Sequence, residues 1–344
     1  MNTRFARTLI LFVVISLLTA CGGQATPNSN AVKLILGAYT TPREAYGEVI
    51  PIFAAQWKDK TGQEVTFEES YLGSGAQARA INEGFEADVA ALSLDGDIKK
   101  IADAGLITHD WHTPPYNGMV STSIVVFAVR KGNPKNIHDW KDLAQPGLEI
   151  LTPDPKTSGG AQWNILALFG AALRGKIEGI SASDEAAASD FLKSVLKNVT
   201  AFDKGARESI TNFENGVGDV AITYENEALV GQQSGQDYEY VIPTSTILIE
   251  NPVSVVDSYV DKHGTREVAE AFVQFLFTKE AQEIFARHGL RSLDKNVAAA
   301  TASQYPPVTD LFTIGDQFGG WSEAGPKYFG DDGIYTKAII EVQQ

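Results

Sequence analysis

Four times along this chain an apolar run of strand length gives way to a helix through a junction of hydroxyl or small residues. Residues 32–39 lead into Thr40-Thr41, and the strand beginning at 65–67 leads to Gly73-Ser74. Residues 148–151 lead through a proline-punctuated loop to Ser158-Gly159-Gly160, and 199–203 lead to Gly205-Ala206. Strands that alternate with helices imply an α/β fold with a mostly parallel sheet, since parallel neighbours need a crossover. Such crossovers gather the helix N-termini at the carboxyl ends of the strands. The first N–H groups of a helix lack an intrahelical acceptor and carry the positive end of its dipole, so an anion placed there collects several hydrogen bonds. One such junction alone merely stabilises a helix. Two in the first third and two in the middle point to two α/β lobes, flanked by helices, that aim all four at one ligand in the cleft between them.

Local signals sharpen the element boundaries. Ser158 has N-cap chemistry, and Gly159 and Gly160 leave their N–H groups unshielded by any Cβ. Thr41, Pro42 and Glu44 read as a capping box with proline at the first helical position, and Ser74 with Gln77 reads as a second box. Residues 121–130 are near-continuously apolar and β-branched, as in a strand buried on both faces. Residues 238–242 and 253–256 read as strands returning the chain to where it began. Thr265 is expected to cap a helix, another starts near Thr278, and the Gly- and aromatic-rich tail, 311–344, is expected to wrap back over earlier elements.

The first twenty residues read as a signal peptide, with Arg4 and Arg7 ahead of an apolar run, 9–18, too short to span a bilayer. Leu18-Thr19-Ala20-Cys21 resembles a bacterial lipobox, which makes Cys21 the expected lipidated N-terminus and 21–30 a flexible tether. Cys21 is the only cysteine, so the mature fold has neither a disulfide nor a thiolate metal site. With a net charge of −15, the 344-residue chain is a poor partner for nucleic acid or an anionic membrane surface. Any anion must be held by local dipoles, since the overall charge repels it. The length suits two lobes. No zinc spacing, phosphate-binding GKS/T loop or nucleophile elbow is present.

Lys156-Thr-Ser-Gly-Gly-Ala-Gln-Trp-Asn164 resembles a signature of the sulfate-binding proteins of bacterial ABC importers. So do Arg130-Lys-Gly-Asn-Pro-Lys-Asn-Ile-His-Asp-Trp-Lys-Asp-Leu143, Gly216-Val-Gly-Asp-Val220 with Glu225-Asn-Glu-Ala-Leu229, and Phe318-Gly-Gly-Trp321. The resemblance spans essentially the whole mature chain. It implies a periplasmic-binding-protein fold, sulfate buried between the lobes without a counter-ion, a membrane permease as partner, no cofactor and a monomeric receptor outside the cell membrane. By motif, the backbone donors would be Thr40, Ser74, Gly159, Gly160 and Ala206. Ser158 would give its hydroxyl, and Tyr224 stands where the family usually has tryptophan. Thr40 replaces the usual aspartate, and Tyr71-Leu72 replaces smaller residues before Gly73. One lobe is expected over 32–121 and 253–344, the other over 122–252, with the hinge near 121–126 and 249–255.

The chemistry of the ligand agrees with a donor-only pocket. Sulfate offers only acceptors at neutral pH, whereas phosphate keeps a proton that would face donors, a mismatch of about 1–3 kcal/mol. Thiosulfate and molybdate are the alternative ligands. An extracellular ester hydrolase would need a metal or an activated nucleophile, and neither constellation is found. His109 and His112, flanking Asp110 and Trp111, read as a solvated turn, and Asp95 and Asp97 lack the remaining ligands of a calcium loop. Arg207, beside Ala206, is either an anion clamp or an ion-pair partner.

Overall fold

The computed structural model describes residues 31–344. The expected signal peptide and Cys21 lie outside the described residues. The chain opens with β1 (Ala31–Tyr39), α1 (Arg43–Thr61), β2 (Glu64–Leu72), α2 (Ser74–Asn82), β3 (Val89–Ala91) and α3 (Asp95–Asp103). The middle holds β4 (Met119–Arg130), β5 (Ile150–Pro153), α4 (Gly159–Leu173), α5 (Glu185–Leu196), β6 (Val199–Asp203), α6 (Ala206–Glu214), β7 (Val220–Tyr224), α7 (Glu225–Gln233) and β8 (Tyr238–Val241). Then β9 (Ser245–Val255) returns, followed by α8 (Asp257–His263), α9 (Arg266–Leu276), α10 (Lys279–Arg287) and α11 (Lys295–Thr301). The tail adds β10 (Asp310–Phe312), α12 (Ile314–Phe318), α13 (Trp321–Ala324) and α14 (Ile334–Gln343).

The strands run in the order β2-β1-β3-β9-β4-β7-β5-β6, with β10 on β9 and β8 on β4. Strands joined by helices pair in parallel, β1 with β2 and β3, and β5 with β6 and β7. The strands that cross between the halves pair antiparallel: β4 with β9, β7 and β8, and β3 with β9. This is the two-lobed arrangement expected. One lobe is built on β2-β1-β3 with the end of β9, the other on β7-β5-β6 with the end of β4, and a ladder from Ser121↔Asn251 to Ile124↔Leu248 joins them.

Burial explains the elements. Every residue of β4 except Arg130 is buried, as the apolar run predicts. Helix α4 is buried almost all round, the pattern of a helix inside a lobe and not on its surface. In the second lobe Phe127, Trp140, Trp163 and Phe169 form a core that the tail completes. Trp321 packs edge-on against Trp163 at 4.7 Å, and Tyr328 against Phe169 at 5.0 Å. The first lobe packs Phe53 of α1 against Phe272 of α9 at 5.1 Å.

Four local expectations are corrected. Helix α1 begins at Arg43, and neither Thr41 nor Pro42 caps it through a side chain. Glu44 turns outward to Arg207 instead. In α2 the N-cap is Gly73 without a side-chain bond, because the Ser74 hydroxyl goes to Asp97 and Gln77 accepts from Ser70. Thr265 likewise spends its hydroxyl on Asp88, at 2.6 Å, and does not cap α9. The next helix does start near Thr278, whose hydroxyl accepts from Ala281 N–H. Strand β9 starts well before 253, at Ser245. Its Pro252, which has no N–H to give, falls where the β4 ladder shifts register between Met119 and Ser121.

Candidate anion site

The four junctions meet at one place. A Cβ on Gly73 would lie 2.5 Å from the Thr157 carbonyl oxygen and 2.7 Å from that of Lys204, so the first lobe's α2 start touches the second lobe's backbone. Ala76 N–H donates to the Thr157 carbonyl at 3.1 Å across the same boundary. A Cβ on Gly160 would meet the Tyr224 ring at 2.7 Å and Ala206 Cβ at 3.3 Å. One on Gly205 would come within 3.6 Å of Thr40 Oγ1. Thus the junctions that carry Thr40, Ser74, Ser158, Gly159, Gly160, Ala206 and Tyr224 lie against one another, and all seven residues are buried.

Ser74, Gly159, Gly160 and Ala206 occupy the first turns of α2, α4 and α6, so their N–H groups have no intrahelical acceptor. Thr40 sits differently, three residues before α1 in a turn whose carbonyl accepts from Arg43 N–H at 3.4 Å. The Ser158 hydroxyl accepts from Ala161 N–H at 3.4 Å, which caps α4 and leaves the hydroxyl proton to give. The Ser74 hydroxyl is committed on both sides, donating to Asp97 at 2.6 Å and accepting from Ser93 N–H at 3.0 Å. Only its backbone can serve a ligand.

Sequence reasoning missed a fifth junction, where β3 runs into α3 through Ser93. The Ser93 hydroxyl lies 2.6 Å from the Tyr224 hydroxyl, and Trp163 Nε1–H donates to the Ser93 carbonyl at 3.1 Å and its hydroxyl at 3.2 Å. The signal was present, a strand followed by a serine just ahead of a helix whose first turn holds Gly96. Burial pushes the Tyr224 phenol far above its ordinary pKa, with Ser93 opposing, so the hydroxyl keeps its proton at any physiological pH.

Arg207 is an ion-pair partner. It gives Nε–H to Glu227 at 2.7 Å, its two Nη groups to Glu44, and one more bond to the Thr41 carbonyl at 3.3 Å. Four of the five guanidinium donors are thereby used. Burial pulls the Arg207 pKa down, but Glu227 and Glu44 outweigh it and raise it. Glu227 is fully enclosed, and its burial raises its pKa against the pull of Arg207. The pairing crosses the lobes, since Glu44 belongs to α1.

The remaining polar clusters are braces. His109 bonds Asp257 at 2.8 Å, and His112 and Trp111 both bond Asp95 at 2.8 Å. The expected solvated turn is therefore tied down at both histidines. Among the described residues no cluster of His, Cys, Asp and Glu has the geometry to hold a metal ion, and no helix is long and apolar enough to cross a membrane.

A family model for bacterial extracellular solute-binding proteins matches residues 34–291. The sulfate-binding protein of Synechococcus elongatus is 46% identical over 326 residues, covering 93% of this chain and 91% of that protein. The thiosulfate-binding protein of Escherichia coli is 38% identical, with 96% of each chain covered. Among solved structures, the sulfate-binding protein SubI from Mycobacterium tuberculosis H37Rv is 36% identical and superposes with a TM-score of 0.79 over 87% of this chain and 99% of that one.

Proposed function

We propose, from the premise that the chain belongs to the bacterial extracellular solute-binding proteins, that it is a sulfate receptor of an ABC importer. It captures the dianion by closing its lobes and delivers it, chemically unchanged, to a membrane permease. The first lobe comprises 32–121 with the stretch from 253 through α11, the second 122–252 with the tail from β10 onward, which packs into its core and not, as expected, with the first lobe, and the hinge is the β4–β9 ladder. In this reading the anion accepts from the backbone N–H groups of Thr40, Ser74, Gly159, Gly160 and Ala206 and from the Ser158 and Tyr224 hydroxyls. Cys21 carries the lipid that holds the monomeric receptor outside the membrane.

What supports the reading is that helix starts from both lobes lie against one another, and that Arg207, beside the α6 start, is already committed to two carboxylates. A place rich in N–H donors and free of spare positive charge suits an anion that brings only acceptors. Thiosulfate is the second ligand to consider, because a thiosulfate-binding relative is 38% identical over nearly the whole chain. Isothermal calorimetry on protein lacking residues 1–21, titrated with sulfate, thiosulfate, molybdate and phosphate, tests the reading. Tight sulfate binding that differs little between pH 6 and pH 8 is expected. Tight thiosulfate with weak sulfate would reassign the ligand, and binding of none of the four would end the receptor reading.

A further inference from the structure

We propose that Ser93 is a positioning residue that forces the Tyr224 hydroxyl to act as a donor, and is in this way a determinant of anion selectivity. The proposal rests on the sulfate-receptor reading. Ser93 comes from the first lobe and slots between Trp163 and Tyr224 of the second. All three side chains are essentially inaccessible to solvent. The serine backbone is pinned as well, its N–H donating to Ser74 Oγ at 3.0 Å and its carbonyl accepting from Asn251 Nδ2 at 3.3 Å.

The direction of the hydrogen bonds follows from counting protons. An indole N–H can only donate, so Trp163, which shares its proton between the Ser93 carbonyl and Oγ, faces Oγ as a donor. Ser93 and Tyr224 hold two hydroxyl protons and share one bond of 2.6 Å, so one proton is left over. Among the described residues neither hydroxyl has another protein acceptor within hydrogen-bond distance. If Tyr224 donated, Ser93 would receive two donors, and its own proton would have no acceptor among the described residues. If Ser93 donates, the spare proton is the phenol's. The Tyr224 ring lies against Gly160 at the start of α4, where a bound oxyanion supplies a lone pair. The chain Trp163→Ser93→Tyr224→anion is then satisfied at every step, and each bond polarises the next.

The consequence is chemical. With its good acceptor position filled by Ser93, Tyr224 cannot receive a proton from the ligand. Hydrogen phosphate has the charge of sulfate but carries one proton, and that proton finds no acceptor. Take Ser93 Oγ away and the phenol is free to turn and accept. The role differs from simply holding the lobes shut, which would affect all anions of one charge alike.

Calorimetry at pH 8 with sulfate, selenate and hydrogen phosphate, on the wild type, S93A, Y224F and the double variant, tests this. S93A is expected to lose about 10-fold in affinity for sulfate and selenate while phosphate is unchanged or improved, as for a lost charge-assisted hydrogen bond. Because Ser93 acts through Tyr224, the double variant should bind sulfate no more weakly than Y224F. Thermal melting of the ligand-free proteins controls for folding. If S93A does not fold, S93C, which keeps the volume but donates weakly, takes its place. Equal losses for all three anions, or additive losses in the double variant, would overturn the role assigned to Ser93 and leave the receptor reading standing. A wild type that binds none of the three brings down both.

Discussion

A Cβ placed on Gly73 would lie 2.5 and 2.7 Å from two carbonyl oxygens of the facing lobe, Thr157 and Lys204, neither of which can rotate away. The three atoms nearest that methyl group all belong to the facing lobe, so Gly73→Ala should fold normally and melt unchanged without ligand. Overpacking of this kind costs about 1–3 kcal/mol, so sulfate affinity should fall roughly 5- to 150-fold by calorimetry. His263 gives a pH-dependent counterpart. Burial lowers its pKa, but Glu86 and Asp88, at 3.0 and 2.9 Å, raise it further than that, leaving it above the usual histidine value. A raised folded pKa stabilises fully below the unfolded value, near 6.5, and the benefit is lost as pH rises through the folded one. His263→Asn should therefore lower the urea midpoint more at pH 6 than at pH 9. The residues proposed for binding were readable because most act through the main chain, where Ser, Gly and Ala leave a legible trace at a helix start. Ser93 acts through a side chain aimed at a tyrosine 131 positions away, a pairing no local pattern encodes.

Between elements, α1 of one lobe is tied to α6 and α7 of the other by the Glu44–Arg207–Glu227 array. Burial raises the Glu44 pKa, but Arg207 more than offsets this and the net shift is down. Its contribution is thus present at neutral pH and fades as pH falls through the depressed value. Glu44→Gln keeps the Arg207–Glu227 pair and weakens only the tie between lobes. Sulfate should dissociate about 2- to 5-fold faster in stopped-flow measurements, with the melting temperature of the ligand-free protein unchanged, as for a partly exposed ion pair. Most element boundaries could be read from apolar period and turn chemistry. The capping boxes failed where a side chain found a stronger tertiary partner, Glu44 in Arg207 and Ser74 in Asp97. The start of β9 was missed because Glu250-Asn251-Pro252 has the look of a turn, and only the antiparallel pairing with β4 overrides that local preference.

At the scale of the whole molecule, a dianion must approach a chain of net charge −15. Long-range repulsion slows encounter, and salt screens it over about 10 Å at 0.1 M. The association rate for sulfate should therefore rise as potassium chloride is added from 10 to 200 mM, the reverse of a steered ligand. Rapid mixing with tryptophan fluorescence reads this directly. The two-lobed plan was legible from the alternation of strands and helices, but the tail's course was only sketched, since Trp321 reaches Gly96 and Trp163 through contacts that span both lobes. The crossing ladder has a further consequence. The chain leaves the first lobe along β4 and comes back along β9, and Thr122 pairs with Glu250 at the crossing. Everything between enters and exits through one doorway two strands wide. That stretch is thus a cassette whose ends already sit side by side, so its exchange between relatives needs two adjacent splices, with the tail that completes the second lobe's core exchanged alongside it.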